Sequence, residues 1–314
     1  MDAKSFPPAF ADETKAFEVI ESIIWPNGPV CPHCGGSDRI TKVKANPEKR
    51  VRHGLYRCGP CKRQFTVKVG SIFEDSNIPM SKWLMAIWMM CSSKKGVSAN
   101  QLSRQLQISY KAAWFMCHRV RLAMTKEPLA SKLGAGGGIV EIDETYVGGK
   151  KRNNLHRNRT SAAGKKVAVM TLIDRDGEAR TFKVPNTRKG TMQTVAIPNI
   201  DGTAHIVTDE HLGYHGLEKH FASHHTVNHS EQYVRALIFH TNFAESYHSL
   251  LKRGMVGTFH HVSTKHLSRY LREFEFKWNS RKDKDGDRTV SAIEGAVGKR
   301  LLFRQPSSER SKES

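Results

Sequence analysis

The sequence predicts an α/β domain, a mixed sheet with helices, placed after a small cysteine-rich module and a helical segment. Three observations lead there. Short apolar runs rich in β-branched residues alternate with helical periodicity beyond residue 134. Two CxxC pairs sit within the first 70 residues, and the stretch between these regions carries helical spacing with serine caps. The 314 residues suit two or three modules rather than one extended core, and divide as 1–70, 71–133, 134–303 and a polar tail 304–314 without core formers, expected to be disordered. Lys and Arg number 50 against 30 Asp and Glu, a formal charge of +20. Such an excess favours a polyanionic partner, nucleic acid first, because each neutralised phosphate releases counterions.

The start "MDAKSFPPAFADETKAFEVI" lacks the basic opening and apolar run of a secretory leader. The longest apolar run, Trp83 to Cys91, falls well short of the roughly 20 residues that cross a bilayer. A cytoplasmic, nucleoid-associated protein without a membrane partner is expected. In that reducing compartment "CPHC" (Cys31, Cys34) and "CGPC" (Cys58, Cys61) read as metal knuckles, since tetrahedral Zn2+ takes four thiolates and each knuckle delivers two. One structural Zn2+ is expected, the alternative being a redox or disulfide pair. His33 and His53 are expected at the surface, and Cys91 and Cys117, in apolar helical stretches, in the core.

In the helical segment Ser98 can cap a first helix with Leu102 and Leu106 inward, and Ser109 a second helix after the short turn "QIS". The second helix carries Tyr110, Lys111, His118, Arg119 and Arg121. That pattern fits a helix-turn-helix with its second helix in the major groove, Lys111, Arg119 and Arg121 touching DNA; a plain core hairpin would look similar. The glycine run Gly134 to Gly138 reads as a linker.

Beyond it, "GIVEI", "KVAVMTLID", "ARTFKVP" and "AHIVTD" read as strands, the second and third joined at "DRDG" by a hairpin turn. "NFAESYHSLLKRG" and "VSTKHLSRYLREFEFKWNSR" read as helices, the latter capped by Ser263 and striped by Leu267, Tyr270, Leu271, Phe274 and Trp278.

Carboxylates inside the first strand need a reason, because burying them without partners is prohibitive. Alternation sends Val140 and Ile142 to one face and Glu141, Asp143 and Thr145 to the other, with Glu144 pointing away and pairing with a Lys or Arg. Asp209 ends a later strand and Glu245 lies on a helix. Asp143, Asp209 and Glu245 converging would form a hard oxygen cage for two Mg2+ (or Mn2+) ions, suited to in-line phosphoryl transfer. Asn242, Glu245, Ser249 and Lys252 share one helix face, which sets Lys252 to touch a phosphate with help from Arg253. The basic loop Gly148 to Arg159, with Lys150, Lys151 and Arg152, reads as a DNA-contacting loop.

"CPHCGG", "YRCGPCKRQFTV", "GIVEIDETYVGG", "HIVTDE" and the long block from Asn242 to Asn279 resemble the zinc-ribbon DDE transposases of bacterial insertion sequences, the ISXO-like group, over nearly the whole chain. The resemblance implies a ribonuclease-H-like catalytic domain, double-stranded DNA as element ends and target, hydrolysis with strand transfer, and a homo-oligomer on DNA. It matches Asp143, Asp209 and Glu245 to the catalytic acids and Lys252 to the lysine seven residues past the third, with Asn242 as an alternative or assisting ligand. Two other readings stay open: a structure-selective or hybrid nuclease on the same fold, and a catalytically silent DNA-binding regulator.

Overall fold

In the computed structural model, which describes residues 6–46, 48, 51–125, 131–148, 166–175, 177–227 and 240–303, the chain separates into two units. One comprises residues 1–126 and 283–314, the other 127–282. The first unit opens with α1 (Phe6–Ala9) and α2 (Glu13–Ile24), the latter capped by the Asp12 side chain accepting from Thr14 and Lys15 amides. A three-stranded antiparallel ribbon follows, β1 (Ile40–Lys42), β2 (Tyr56–Cys58) and β3 (Gln64–Phe65). Glu21 on α2 accepts from the Tyr56 hydroxyl (2.7 Å) and Lys42 (3.3 Å), tying helix to ribbon.

Three more helices complete this stretch: α3 (Met80–Ser92), α4 (Ala99–Leu106) and α5 (Tyr110–Ala123). Ser98 and Ser109 cap α4 and α5 as their spacing predicts, and Leu102 and Leu106 point inward. Cys91 and Cys117 are buried, as their apolar context predicts. The basic face assigned to α5 differs from expectation. Arg119 and Arg121 are buried, and Arg119 donates to the carbonyls of Ile72 (2.9 Å), Glu74 (2.7 Å) and Leu301 (3.3 Å). The Arg119 guanidinium is engaged by backbone carbonyls and Arg121 is buried, so neither offers the exposed charge expected of a DNA-reading helix face. His118 is buried too; Lys111 remains exposed, with its ammonium 4.7 Å from the Phe303 ring centre.

In the second unit the described residues include a five-stranded sheet. Its strands are β4 (Ile139–Val147), β5 (Val167–Asp174), β6 (Ala179–Val184), β7 (His205–Thr208) and β8 (Ser223–Thr226), in the order β6-β5-β4-β7-β8. β4, β5 and β6 pair antiparallel; β7 runs parallel to β4, and β8 parallel to β7. This mixed order is the ribonuclease-H-like arrangement. The helices are α6 (Lys189–Asn199), α7 (Asn242–Gly254) and α8 (Leu267–Asn279). Alternation along β5 fills both sides of the sheet: Ala168, Met170 and Leu172 join Met192 and Ala196 of α6, while Val169 and Ile173 join α7 and α8. Leu267, Tyr270, Leu271, Phe274 and Trp278 form the inward stripe of α8. That helix starts at Leu267 rather than after Ser263, whose carbonyl instead accepts from the His266 amide in a preceding turn.

The Gly134–Gly138 run is not a free linker. Gly134 donates to Asp174 Oδ2 (2.9 Å), Gly138 donates back to the Gly134 carbonyl, and His205 donates to the Gly138 carbonyl. Gly134 adopts φ +71°, and a Cβ there would stand 2.6 Å from the Ala204 Cβ, so glycine is required for the tight entry into β4. The chain finally returns to the first unit as α9 (Asp285–Glu294). Residues 283–303 therefore leave the catalytic domain to which 134–303 assigned them. Thr289, Ala292, Ile293 and Ala296 are buried, Arg288 bonds the Cys91 carbonyl, and Gly70 and Ile72 pair with Gly298 and Ala296.

Candidate active site

β4 is the central strand, and its three acids part company. The parallel ladder with β7 pairs Ile139 with His205, Val140 with Ile206 and Glu141 with Val207. Continued two residues, the same offset sets Asp143 opposite Asp209, just past the end of β7. The ladder with β5 runs on to Val147, so this end of β4 keeps one paired flank while the other opens toward Asp209. Carboxylate oxygens of Asp143, Glu144 and Asp209 all lie within 4.8 Å of one another. The structure thus brings together two of the predicted acids and adds a third that alternation had sent elsewhere.

Glu144 does lie on the opposite face from Asp143, and among the described residues its partners are a tyrosine and a histidine rather than Lys or Arg. The buried Tyr214 hydroxyl donates to its Oε2, and His211 Nε2 stands 4.0 Å from its Oε1. Burial pushes the Glu144 carboxyl above the ordinary range, and the charges of Asp209 and Asp143 push it further, against the Tyr214 hydrogen bond and His211. Beside the neighbouring negative charges, burial also holds the Tyr214 phenol well above its usual range. Negative groups packed this closely call for a cation, and their hard oxygen donors suit Mg2+ or Mn2+.

Helix α7 borders the cluster. His248, nearly buried, places Nδ1 3.2 Å from Asp143 Oδ2 and Nε2 2.9 Å from Thr171 Oγ1 on β5. Glu245 stands one turn earlier, exposed, outside the three-acid cluster; Asn242, also exposed, begins the helix. Lys252 and Arg253 are exposed in the last turn. Lys150, Lys151 and Arg152 lie outside the described residues. Glu141 is buried among Arg175, His240 and the first amides of α7; burial pushes its carboxyl upward, only partly offset by the Ala244 amide, Arg175 and His240.

Sequence reasoning passed over Glu144, Tyr214 and His248. Only Glu144 carried a usable signal, its adjacency to Asp143 on β4; Tyr214 and His248 are brought in by tertiary folding alone.

At the other site the four cysteine sulfurs converge within 4.8 Å, with Cys31 and Cys61 Sγ 3.6 Å apart and Cys34 and Cys58 Sγ 3.7 Å apart. A tetrahedron with Zn–S bonds of about 2.3 Å has S···S edges of about 3.8 Å, so the donor set fits Zn2+. Trp25, Tyr56 and Phe65 pack against these knuckles.

Residues 135–279 match the ISXO2-like transposase domain, and residues 11–64 the transposase zinc-ribbon domain. An uncharacterised protein in transposable element ISH50 of Halobacterium salinarum is 27% identical over 288 residues, spanning 85% of this chain and 91% of that protein. Among solved structures, the Mos1 strand transfer complex aligns with 67% of this chain and 73% of its own at 14% identity, with a TM-score of 0.26. The Mos1 mariner paired end complex with Mn aligns with 62% and 70% at 15% identity, with a TM-score of 0.27. The fold assignment rests on the strand order above, not on these overlaps. With the transposase zinc ribbon and the transposase domain following one another along one polypeptide, the chain belongs to the zinc-ribbon DDE transposases of insertion sequences.

Proposed function

We propose that this transposase binds the double-stranded ends of its insertion sequence and carries out metal-dependent hydrolysis and strand transfer, working as a homo-oligomer on DNA. The observation that carries the reading is the meeting of Asp143 and Asp209 at the open end of β4, beside the helix bearing Glu245. Asp143 and Asp209 would hold a pair of Mg2+ ions with Glu245 as the third ligand, Asn242 assisting from the same helix face. When bound, two such ions supply activation of the attacking oxygen and stabilisation of the leaving oxygen in an in-line displacement. His248 holds one oxygen of Asp143, leaving its carboxylate in a fixed orientation. Lys252 and Arg253 offer exposed charge to the phosphate backbone beside the acids, as does Lys111 in the first unit. The cysteine cluster would carry one structural Zn2+, keeping the ribbon folded.

The test is cleavage and joining of a labelled duplex carrying the element's flanking DNA, in Mg2+ or Ca2+. Asp143→Asn and Asp209→Asn are each expected to abolish joined products while retaining DNA binding; Glu245→Gln is expected to do the same if it is the third ligand. Cleavage retained by either aspartate variant would sink the metal assignment. Cut DNA without joined products would mark a nuclease on this fold, and binding without chemistry in Mg2+ a regulator.

A further inference from the structure

Helix α7 does not cap its own start. Thr241, at its N-cap, supplies no side-chain hydrogen bond to the helix. The cap comes instead from the sheet: Glu141 Oε2 accepts from the amides of Phe243 (2.9 Å) and Ala244 (3.1 Å), the second and third residues of the helix. Helix amides at these positions carry partial positive charge, so a carboxylate is the natural partner. Arg175 holds that carboxylate, donating from Nε to Glu141 Oε1 (2.9 Å) and from Nη2 to the His240 carbonyl just ahead of the helix (2.8 Å). His240 Nδ1 lies 3.3 Å from the same Oε1. Glu141 has no exposed surface, and its two oxygens are engaged by these groups, so it is no candidate for a metal.

A second attachment lies further along. His248 bridges Asp143 on β4 and Thr171 on β5. The two attachments match in spacing: Glu141 and Asp143 are two strand residues apart, about 6.8 Å, and Ala244 to His248 rises about 6 Å along the helix. α7 thus runs along β4, fastened on both sides of Glu245.

We propose that Glu141, braced by Arg175, is a positioning residue that sets the first turn of α7 against β4 and so fixes Glu245 relative to Asp143 and Asp209. This rests on Glu245 being the third metal ligand. The acids of β4 then divide their work: Asp143 faces the metals, while Glu141 aims the helix that completes their cage.

The experiment uses the full chain with its zinc ribbon loaded and Mn2+ as the probe, followed by electron paramagnetic resonance, with hydrogen exchange at the amides of α7. Glu141→Gln is expected to weaken Mn2+ binding about tenfold, as loss of an outer-shell partner does, and to speed exchange at Phe243 and Ala244. In a Glu245→Gln background the same change is expected to cost nothing further in Mn2+ affinity, because its effect passes through Glu245. A purely structural role would lower affinity equally in both backgrounds and would overturn the proposal. So would unchanged Mn2+ affinity in Glu141→Gln. Arg175→Lys, which keeps the charge but loses the two-pronged grip, is the second variant should Glu141→Gln fail to fold, and the same affinity loss is expected of it. Mn2+ binding absent from the parent, or the same in Asp143→Asn, would instead refute the metal reading itself; binding unaffected by Glu245→Gln would refute the third ligand.

Discussion

Arg119 shows how a charged side chain can serve a fold rather than a partner. Its guanidinium bonds three backbone carbonyls, one buried and two part-buried, and a buried polar group left without a partner costs about 1–3 kcal/mol. Arg119→Ala is therefore expected to destabilise the first unit by about 3 kcal/mol or more in urea unfolding. Lys111→Ala is expected to leave stability unchanged, weaken duplex binding and reduce its salt slope by about one in an anisotropy series. An Arg119→Ala protein as stable as the parent would return that residue to the surface. Composition could not separate the two residues. An arginine stem buries readily, and what decides its role is the carbonyls from distant residues 72, 74 and 301 that gather around it. Asp143 was legible as a carboxylate inside an apolar strand and Asp209 as one at a strand end; Glu144 was not, because alternation fixes a face and says nothing about where a neighbouring strand stops.

The zinc ribbon was legible as an element, since two CxxC knuckles admit few other meanings and the aromatic residues flanking them pack as strand residues do. Zinc analysis is expected to find one ion per chain, and Cys34→Ser or a strong chelator to remove it and lower the first unfolding transition while leaving that of the second unit in place. One melting transition unmoved by metal loss would contradict the structural role. The stripe of α8 was equally plain, because five apolar residues at helical spacing specify one buried face. Its starting point was not: Ser263 has the chemistry of a cap but sits in a turn ahead of the helix. β8 escaped notice altogether, for "SHHT" offers no apolar run, and only pairing with β7 makes it a strand. The glycine run misled in the opposite sense, since flexibility in composition here serves a tight turn rather than a loose connection.

At the scale of the molecule, α9 groups with the first unit, although the sequence reading places it in the stretch 134–303. Nothing local marks α9 as part of the first unit; its membership rests on the fit of Gly295 against the Ala123 carbonyl, where a Cβ would come within 2.2 Å, and on the pairing of residues 70–72 with 296–298. Residues 127–282 are expected to unfold cooperatively when expressed alone. Residues 1–126 are expected to be unstable until a peptide of residues 283–303 is supplied, with circular dichroism reporting the gain in helix on mixing. A fragment 1–126 that melts as it does in the full chain would place α9 outside that unit. The return of the chain also sets an order in time. As the ribosome works from the N-terminus, the ribbon and its helices emerge first yet wait for their last helix, while the inserted unit is finished before them. A polypeptide cut short after residue 282 would thus hold the sheet with Asp143 and Asp209 and still lack α9 of the first unit, so that both units are complete only once translation has passed that helix.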